Sequence, residues 1–237
     1  MQKGKLFLFP VPIGDDVVSH SLPELNQQLL ASCRTFIVEE TRTARRFLKK
    51  TGYPHPIDDT VFLELNEHTS PDQIGSYLDP ILRGENIGLL SEAGLPCVAD
   101  PGALITRIAQ QRSIDIIPLV GPSSLLLALM ASGFNGQNFA FSGYLPVDKT
   151  RRTAAIRRLE ERLHREHQTQ IFIEAPYRNN QMLEALSSTL QPRTMICVAC
   201  DLTLPSQTIR SLPAALWKKE REKINLHKRN TVFLIGE

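Results

Sequence analysis

The chain has 237 residues, 42% of them hydrophobic and 22% charged, with a formal net charge of +2. That is enough apolar material for one large core or two smaller ones. The near-balanced charge excludes an acidic disordered chain, and it excludes a nucleic-acid binder that works through global positive charge, so any RNA contact has to come from a local patch.

Lys3 and Lys5 precede the apolar run Leu6–Phe9, but Pro10, Pro12 and Gly14 break it and no small-residue cleavage site follows, so it does not read as a secretory signal. No stretch approaches the roughly 20 apolar residues of a membrane helix. A soluble, cytoplasmic protein is expected. In chain order, Leu6–Phe9 reads as a buried strand. Leu22, Leu25, Leu29 and Leu30 give a helical period over 22–33. Thr35–Val38 is a second strand that runs into Glu39-Glu40-Thr41-Arg42, and 43–50 is a basic helix stopped by Gly52 and Pro54. Strand 61–65, helix 71–83 and strand 87–90 follow. Asp100 is placed to cap a helix over 101–111, with Pro101 at its first position. A fifth strand covers 114–119.

A boundary is expected near Pro118, dividing the chain into 1–118 and 119–237. Beyond it the pattern gives helix 125–131, strand 139–141, a charged helix 151–166, strand 170–173, helix 179–190 and strand 195–199. A strand at 207–211, a helix at 213–219 and a closing strand at 231–235 complete it. The class is α/β: a first domain with a mainly parallel sheet, and a second with a mixed sheet because strands there outnumber crossovers.

No two of the 13 glycines are separated by a single residue, so the dinucleotide fingerprint G-x-G-x-x-G is absent, as is the P-loop. In their place stand turns after strand ends, at 10–15, 39–42, 91–94 and 121–124. Ligands of open parallel sheets sit beyond the carboxyl ends of the strands, although such connections are rich in glycine and proline in any case. Cys197 and Cys200 spell C-x-x-C, but within a strand they point to opposite faces and no second pair completes a zinc site, so buried thiols and no metal are expected. Glu174-Ala175-Pro176-Tyr177-Arg178 is either a plain strand end, or a ring and a guanidinium offered to a base and a phosphate. The segment 149–167 carries seven Lys and Arg against Glu160, Glu161 and Glu166. A solvated face and a phosphate contact both account for it.

The collinear motifs VPIGDD (11–16), EETRTARRFL (39–48), LLSEAGLPCVADPG (89–102), IIPLVGPSS (116–124), ASGF (131–134), FSGYLP (141–146), IFIEAPYR (171–178), VACDLT (198–203) and TVFLIGE (231–237) run nearly end to end. Together they resemble the tetrapyrrole (corrin/porphyrin) methylase superfamily, and in particular its branch of ribosomal RNA ribose 2′-O-methyltransferases. The resemblance implies two α/β domains with S-adenosylmethionine in a cleft between them, a homodimer, and ribosomal RNA or the small ribosomal subunit as partner. It places Pro12, Ser91, Glu92, Ala93, Gly94, Val98 and Ser123 on the first-domain side of the cofactor, and Ala175, Cys197, Val198, Ala199 and Thr231 on the other. Gly94 is expected to give the cofactor close access to the backbone.

Methyl transfer is an in-line displacement that gains from alignment, and a ribose hydroxyl gains from a general base. Glu40 and Glu92 are the candidates for that base, with Arg42 holding phosphate. Thr41, Arg42, Tyr177, Arg178, Arg151 and Arg152 are expected on the substrate side. Departures from the branch, Asp15-Asp16 after Gly14 and Leu63-Glu64-Leu65 in place of a histidine-rich segment, also fall on the substrate side. A small-molecule methyltransferase, such as one acting on a tetrapyrrole, and a non-catalytic RNA- or nucleotide-binding module are the alternatives.

Overall fold

The computed structural model describes residues 3–14 and 18–237; Asp15 and Asp16 lie outside them. The chain divides into two compact units, Met1–Ser123 and Ser124–Glu237, where the sequence pattern put the boundary at 118/119.

The first unit is built on five strands: β1 (Leu6–Phe9), β2 (Cys33–Val38), β3 (Val61–Glu64), β4 (Asn86–Leu90) and β5 (Ile116–Pro118). They form one sheet in the order β3-β2-β4-β1-β5, with every pairing parallel. Parallel neighbours require crossovers, and these are α1 (Val18–Ser21), α2 (Glu24–Leu30), α3 (Thr41–Lys50), α4 (Pro71–Ile74), α5 (Asp79–Leu82) and α6 (Gly102–Gln111). Two periodic stretches form shorter helices than their spacing indicates. The 22–33 period yields only α2, which starts after Pro23 in extended geometry at its N-cap and ends at Leu30, while Cys33 joins β2. The 71–83 period breaks into α4, a 3-10 turn at Gly75–Leu78, and α5, because Pro80 is tolerated only in the first turn of a new helix.

Two clusters cover the faces of this sheet, one around Phe7, Phe9, Phe36 and Phe47, the other around Leu6, Ile37, Ile87 and Ile105. Gly88 lies between Phe7 of β1 and Phe36 of β2 in the register. A Cβ there would lie 2.5 Å from Phe36 Cδ1 and 3.0 Å from Phe9 Cε2. The missing side chain is what lets the rings close over the central strand.

The second unit contains β6 (Phe139–Tyr144), β7 (Thr169–Ile173), β8 (Met195–Cys200), β9 (Thr208–Pro213) and β10 (Thr231–Gly236), with α7 (Ser124–Ser132), α8 (Lys149–Glu166), α9 (Asn179–Thr189) and α10 (Ala214–Glu220). Its sheet runs β6-β7-β10-β8-β9. Only β6–β7 is parallel; the other pairings are antiparallel. Trp217, the one tryptophan of the chain, is buried and donates its Nε1–H to Ile196 O at 2.8 Å. Cys197 packs with Ala128 and Leu129 of α7, while Cys200 packs with Ile156 and Trp217; the two thiols occupy opposite faces. Burial pushes both thiols up, and among the described residues no cluster could hold a metal ion. No described helix is long and apolar enough to cross a membrane.

Replacing Gly88 with Ala forces Phe36 and Phe9 off their packed positions. It is expected to cost about 1–3 kcal/mol, measured as a lower urea midpoint by circular dichroism.

Candidate functional site

Because the first sheet is entirely parallel, the carboxyl ends of β1 to β5 share one edge. The turns that follow them carry nearly all the first-domain residues singled out by sequence. Two of these turns are joined through the main chain: Val11 N donates to Gly94 O at 3.0 Å, and Gly94 N donates to Val11 O at 3.1 Å. The third turn abuts them, since a Cβ on Gly94 would come within 3.3 Å of Pro122 O. Pro12, Gly94 and Ser123 are therefore brought to one place, each beside one of these contacts. Gly94 adopts φ +73°, which glycine tolerates without strain. The glycine is needed for this turn-to-turn packing, and its own N–H and C=O are taken by Val11 rather than offered to a ligand. Val98 stands 43% exposed between Cys97 (φ +67°) and Ala99 (φ +61°). Two non-glycine residues in the left-handed region, one on either side of Val98, are costly and tend to mark ligand-binding segments.

The residues after β2 and β4 build an acidic centre. Glu40 Oε2 accepts from Thr43 Oγ1 at 2.7 Å. Glu92 is half-buried and lies against the same Thr43 hydroxyl and the backbone N–H of Glu40. Burial first, then the negative charges of Glu39 and Glu40, push its carboxyl up. Glu39 is raised by burial and by Asp100. Asp100 is raised by burial, in spite of hydrogen bonds from Gly102, Cys97 and Ser91. Asp100 Oδ1 accepts from Gly102 N and Cys97 N, both at 2.8 Å, tying the start of α6 to the loop that carries Val98; the helix begins at Gly102 with Pro101 at the N-cap, one residue later than the sequence pattern indicates.

The helix α3 is fixed from outside its own sequence. Glu64, the last residue of β3, accepts from Thr41 Oγ1 at 2.7 Å and from Thr41 N at 3.2 Å, and these bonds hold its carboxyl below the usual range. Thr41 is thereby an anchor of the helix start, and Arg42 leaves the first turn exposed. The Leu63–Leu65 segment that departs from the family pattern supplies this anchor.

The expected residues of the second unit have the following surroundings. Cys197, Val198 and Ala199 form the buried middle of β8, with β10 on one side and β9 on the other. Val198 belongs to the cluster opposite that of Cys197 and Ala199, as strand alternation sends their side chains to both faces. Thr231 is buried at the start of β10, its hydroxyl within hydrogen-bond distance of Arg229 O at 3.2 Å and of Cys200 Sγ at 3.5 Å. Ala175 is half-buried after β7, and its N–H donates to Glu174 Oε1.

Arg178 is not free for a phosphate. Its Nε and Nη2 donate to buried Glu174 at 2.9 and 2.6 Å, its Nη1 donates to Tyr177 Oη, and its guanidinium lies 4.9 Å from the Tyr177 ring centre. Tyr177 is 59% exposed, with one ring face already covered. On α8, Arg152 Nη1 donates to Val147 O and Arg151 is exposed. Sequence reasoning assigned no site role to Val11, Glu39, Thr43 or Asp100. The adjacent acids Glu39-Glu40 at the end of a buried strand were the available signal; the Val11 bridge left none.

A model of the family described as tetrapyrrole (corrin/porphyrin) methylases matches residues 21–216. The ribosomal RNA small subunit methyltransferase I of Pseudomonas aeruginosa is 31% identical over 217 residues, 91% of this chain and 72% of that protein. The protein of the same name from Escherichia coli O157:H7 is 29% identical over 238 residues, 98% of this chain and 78% of that one. A crystal structure of the methyltransferase CobJ shares the fold, with a TM-score of 0.65 at 18% identity over 99% of this chain and 94% of that one. The chain belongs to the tetrapyrrole (corrin/porphyrin) methylase family and is a methyltransferase.

Proposed function

We propose that the chain transfers a methyl group from S-adenosylmethionine to a ribose 2′-hydroxyl of ribosomal RNA in the small subunit. The observation that carries this is the meeting of Glu40, Glu92 and Thr43 beside exposed Arg42, at the carboxyl edge of the first sheet. The names of the curated relatives point to the same acceptor. A homodimer and a cytoplasmic location belong to this reading.

The edge suits a cofactor held largely by main chain: three turns fixed against one another, the small residue Ala93 exposed among them, and Val98 presented by a strained loop. Pro12, Ser91, Ala93, Val98 and Ser123 are the residues of this unit that would hold it, and Ala175 and Thr231 are the candidates from the second. S-adenosylmethionine supplies an electrophilic methyl on a sulfonium. The chain has to supply alignment and a base. Of the two candidate bases Glu92 is favoured, because a carboxylate raised by burial and like charge is a stronger base near neutrality. Arg42 holds a phosphate next to the reacting ribose, which a guanidinium does bidentately. The hydroxyl proton passes to the carboxylate as the oxygen gains the methyl, whose bond to sulfur would break with the electron pair left on a neutral thioether.

Incubation with labelled S-adenosylmethionine and small ribosomal subunits, followed by digestion to nucleosides, should place the label on a 2′-O-methylated nucleoside. Label on a base, or only in small molecules when a cell extract is supplied, would sink the assignment.

Glu92→Gln is expected to slow transfer by about 10²–10⁴-fold. Wild-type activity should fall on the acid side at a pH above the ordinary carboxylate value of 4.5, as the raised group takes up its proton. The glutamine variant should lose that limb; retention of both rate and limb would remove Glu92 from the mechanism. Stability changes in the opposite sense. A group that holds its proton more tightly when folded costs stability as pH rises from its ordinary value through its raised one. Glu92→Gln should therefore raise the thermal midpoint at neutral pH and leave it unchanged below the ordinary carboxylate range.

A further inference from the structure

The face of α3 that points away from the core carries Arg42, Arg46 and Lys49, all exposed, while Ala44, Phe47 and Leu48 are buried on the other. Their spacing of i, i+4 and i+7 sets them in one ridge along the helix. Arg45 lies beside the ridge and pairs with Asp58. Among the described residues, nothing accepts a hydrogen bond or salt bridge from Arg42, Arg46 or Lys49. The helix contains no acidic residue at all, and Arg42–Arg46 and Arg45–Lys49 are like-charged i,i+4 pairs that disfavour a free helix. Beside the ridge lies an open recess of about 640 Å³, with Glu40, Thr41 and Glu64 at one end and Lys49 among its walls.

The other basic helix is different. On α8, Arg165 pairs with its neighbour Glu166, and Glu161 lies within a turn of Arg157, Arg158 and Arg165. Charge there is interspersed with its opposite. On α3 it is single-signed, uncompensated along the ridge, and continuous with the carboxylates at the helix start.

We propose that the α3 ridge is the track for the RNA backbone, with Arg42, Arg46 and Lys49 each contacting a phosphate of one strand so that a ribose at the Arg42 end is set beside Glu40 and Glu92. This rests on the reading of the acceptor as RNA and names the surface that receives it. Arg46 and Lys49 act as positioning residues, distant from the reacting atoms. The anchoring of Thr41 by Glu64 makes the ridge a rigid ruler from phosphate to carboxylate.

The test uses the full chain and a short fluorescent single-stranded RNA, with affinity read across a salt series. The double variant Arg46→Gln with Lys49→Gln should bind the RNA about tenfold or more weakly at low salt. Each lost phosphate contact should flatten the plot of log affinity against log salt by about 0.7. Calorimetric affinity for S-adenosylmethionine should not change. The charge-keeping pair Arg46→Lys with Lys49→Arg should restore most of the slope. Lys218→Gln with Lys219→Gln on α10 removes equal charge and should leave the slope as in the wild type. An unchanged slope in the α3 variant, with wild-type transfer to ribosomal subunits intact, overturns the track alone. Equal loss in both glutamine pairs reduces it to non-specific attraction and also overturns it. No RNA binding and no RNA labelling by the wild type overturns the track together with the function it rests on.

Discussion

Main-chain pairing between Val11 and Gly94 is the constraint on which the candidate site depends. Parallel strands place their carboxyl ends on one edge, but they do not by themselves fix the loops beyond that edge. Here the loops after β1 and β4 are locked by two mutual hydrogen bonds, and the loop after β5 is packed against the same glycine. Such a bridge needs no particular side chain at Val11, and at Gly94 it needs none. The rigidity that a bound cofactor would otherwise have to supply is already present in the fold.

On that frame the chain gathers negative charge at some cost. Glu39, Glu92 and Asp100 are all raised with burial as the leading cause, and each raised value means the ionised form is held less comfortably than in water. What offsets this is local: backbone N–H donors at the start of α6 for Asp100 and at Glu40 for Glu92, and the Thr43 hydroxyl beside Glu92. The helix α3 presents two electrostatic ends, carboxylates gathered at its start and uncompensated cations along its length. An anionic polymer would meet both in sequence.

Most of the fold could be read from the sequence because its strands are apolar runs bounded by glycine and proline, and parallel order follows from alternation with helices. Helix lengths were less legible where a proline sat inside a good period, at Pro23 and Pro80. Within the site, the turns were visible because turn chemistry is local. Their mutual contacts were not, since Val11 and Gly94 are far apart in the chain and joined only through backbone. Arg178 shows the opposite limit. Its residue type suits a phosphate, but the buried carboxylate four positions earlier takes it first, and no composition argument reveals a partner's geometry.

Thr43 touches both carboxylates near the start of α3, as the donor to Glu40 and as a hydrogen-bonding neighbour of Glu92. A hydroxyl has one hydrogen to give. Given to one carboxylate, it is not available to the other. Two acids at the first turn of α3 therefore share a single hydroxyl donor, and the structure gives its hydrogen to Glu40.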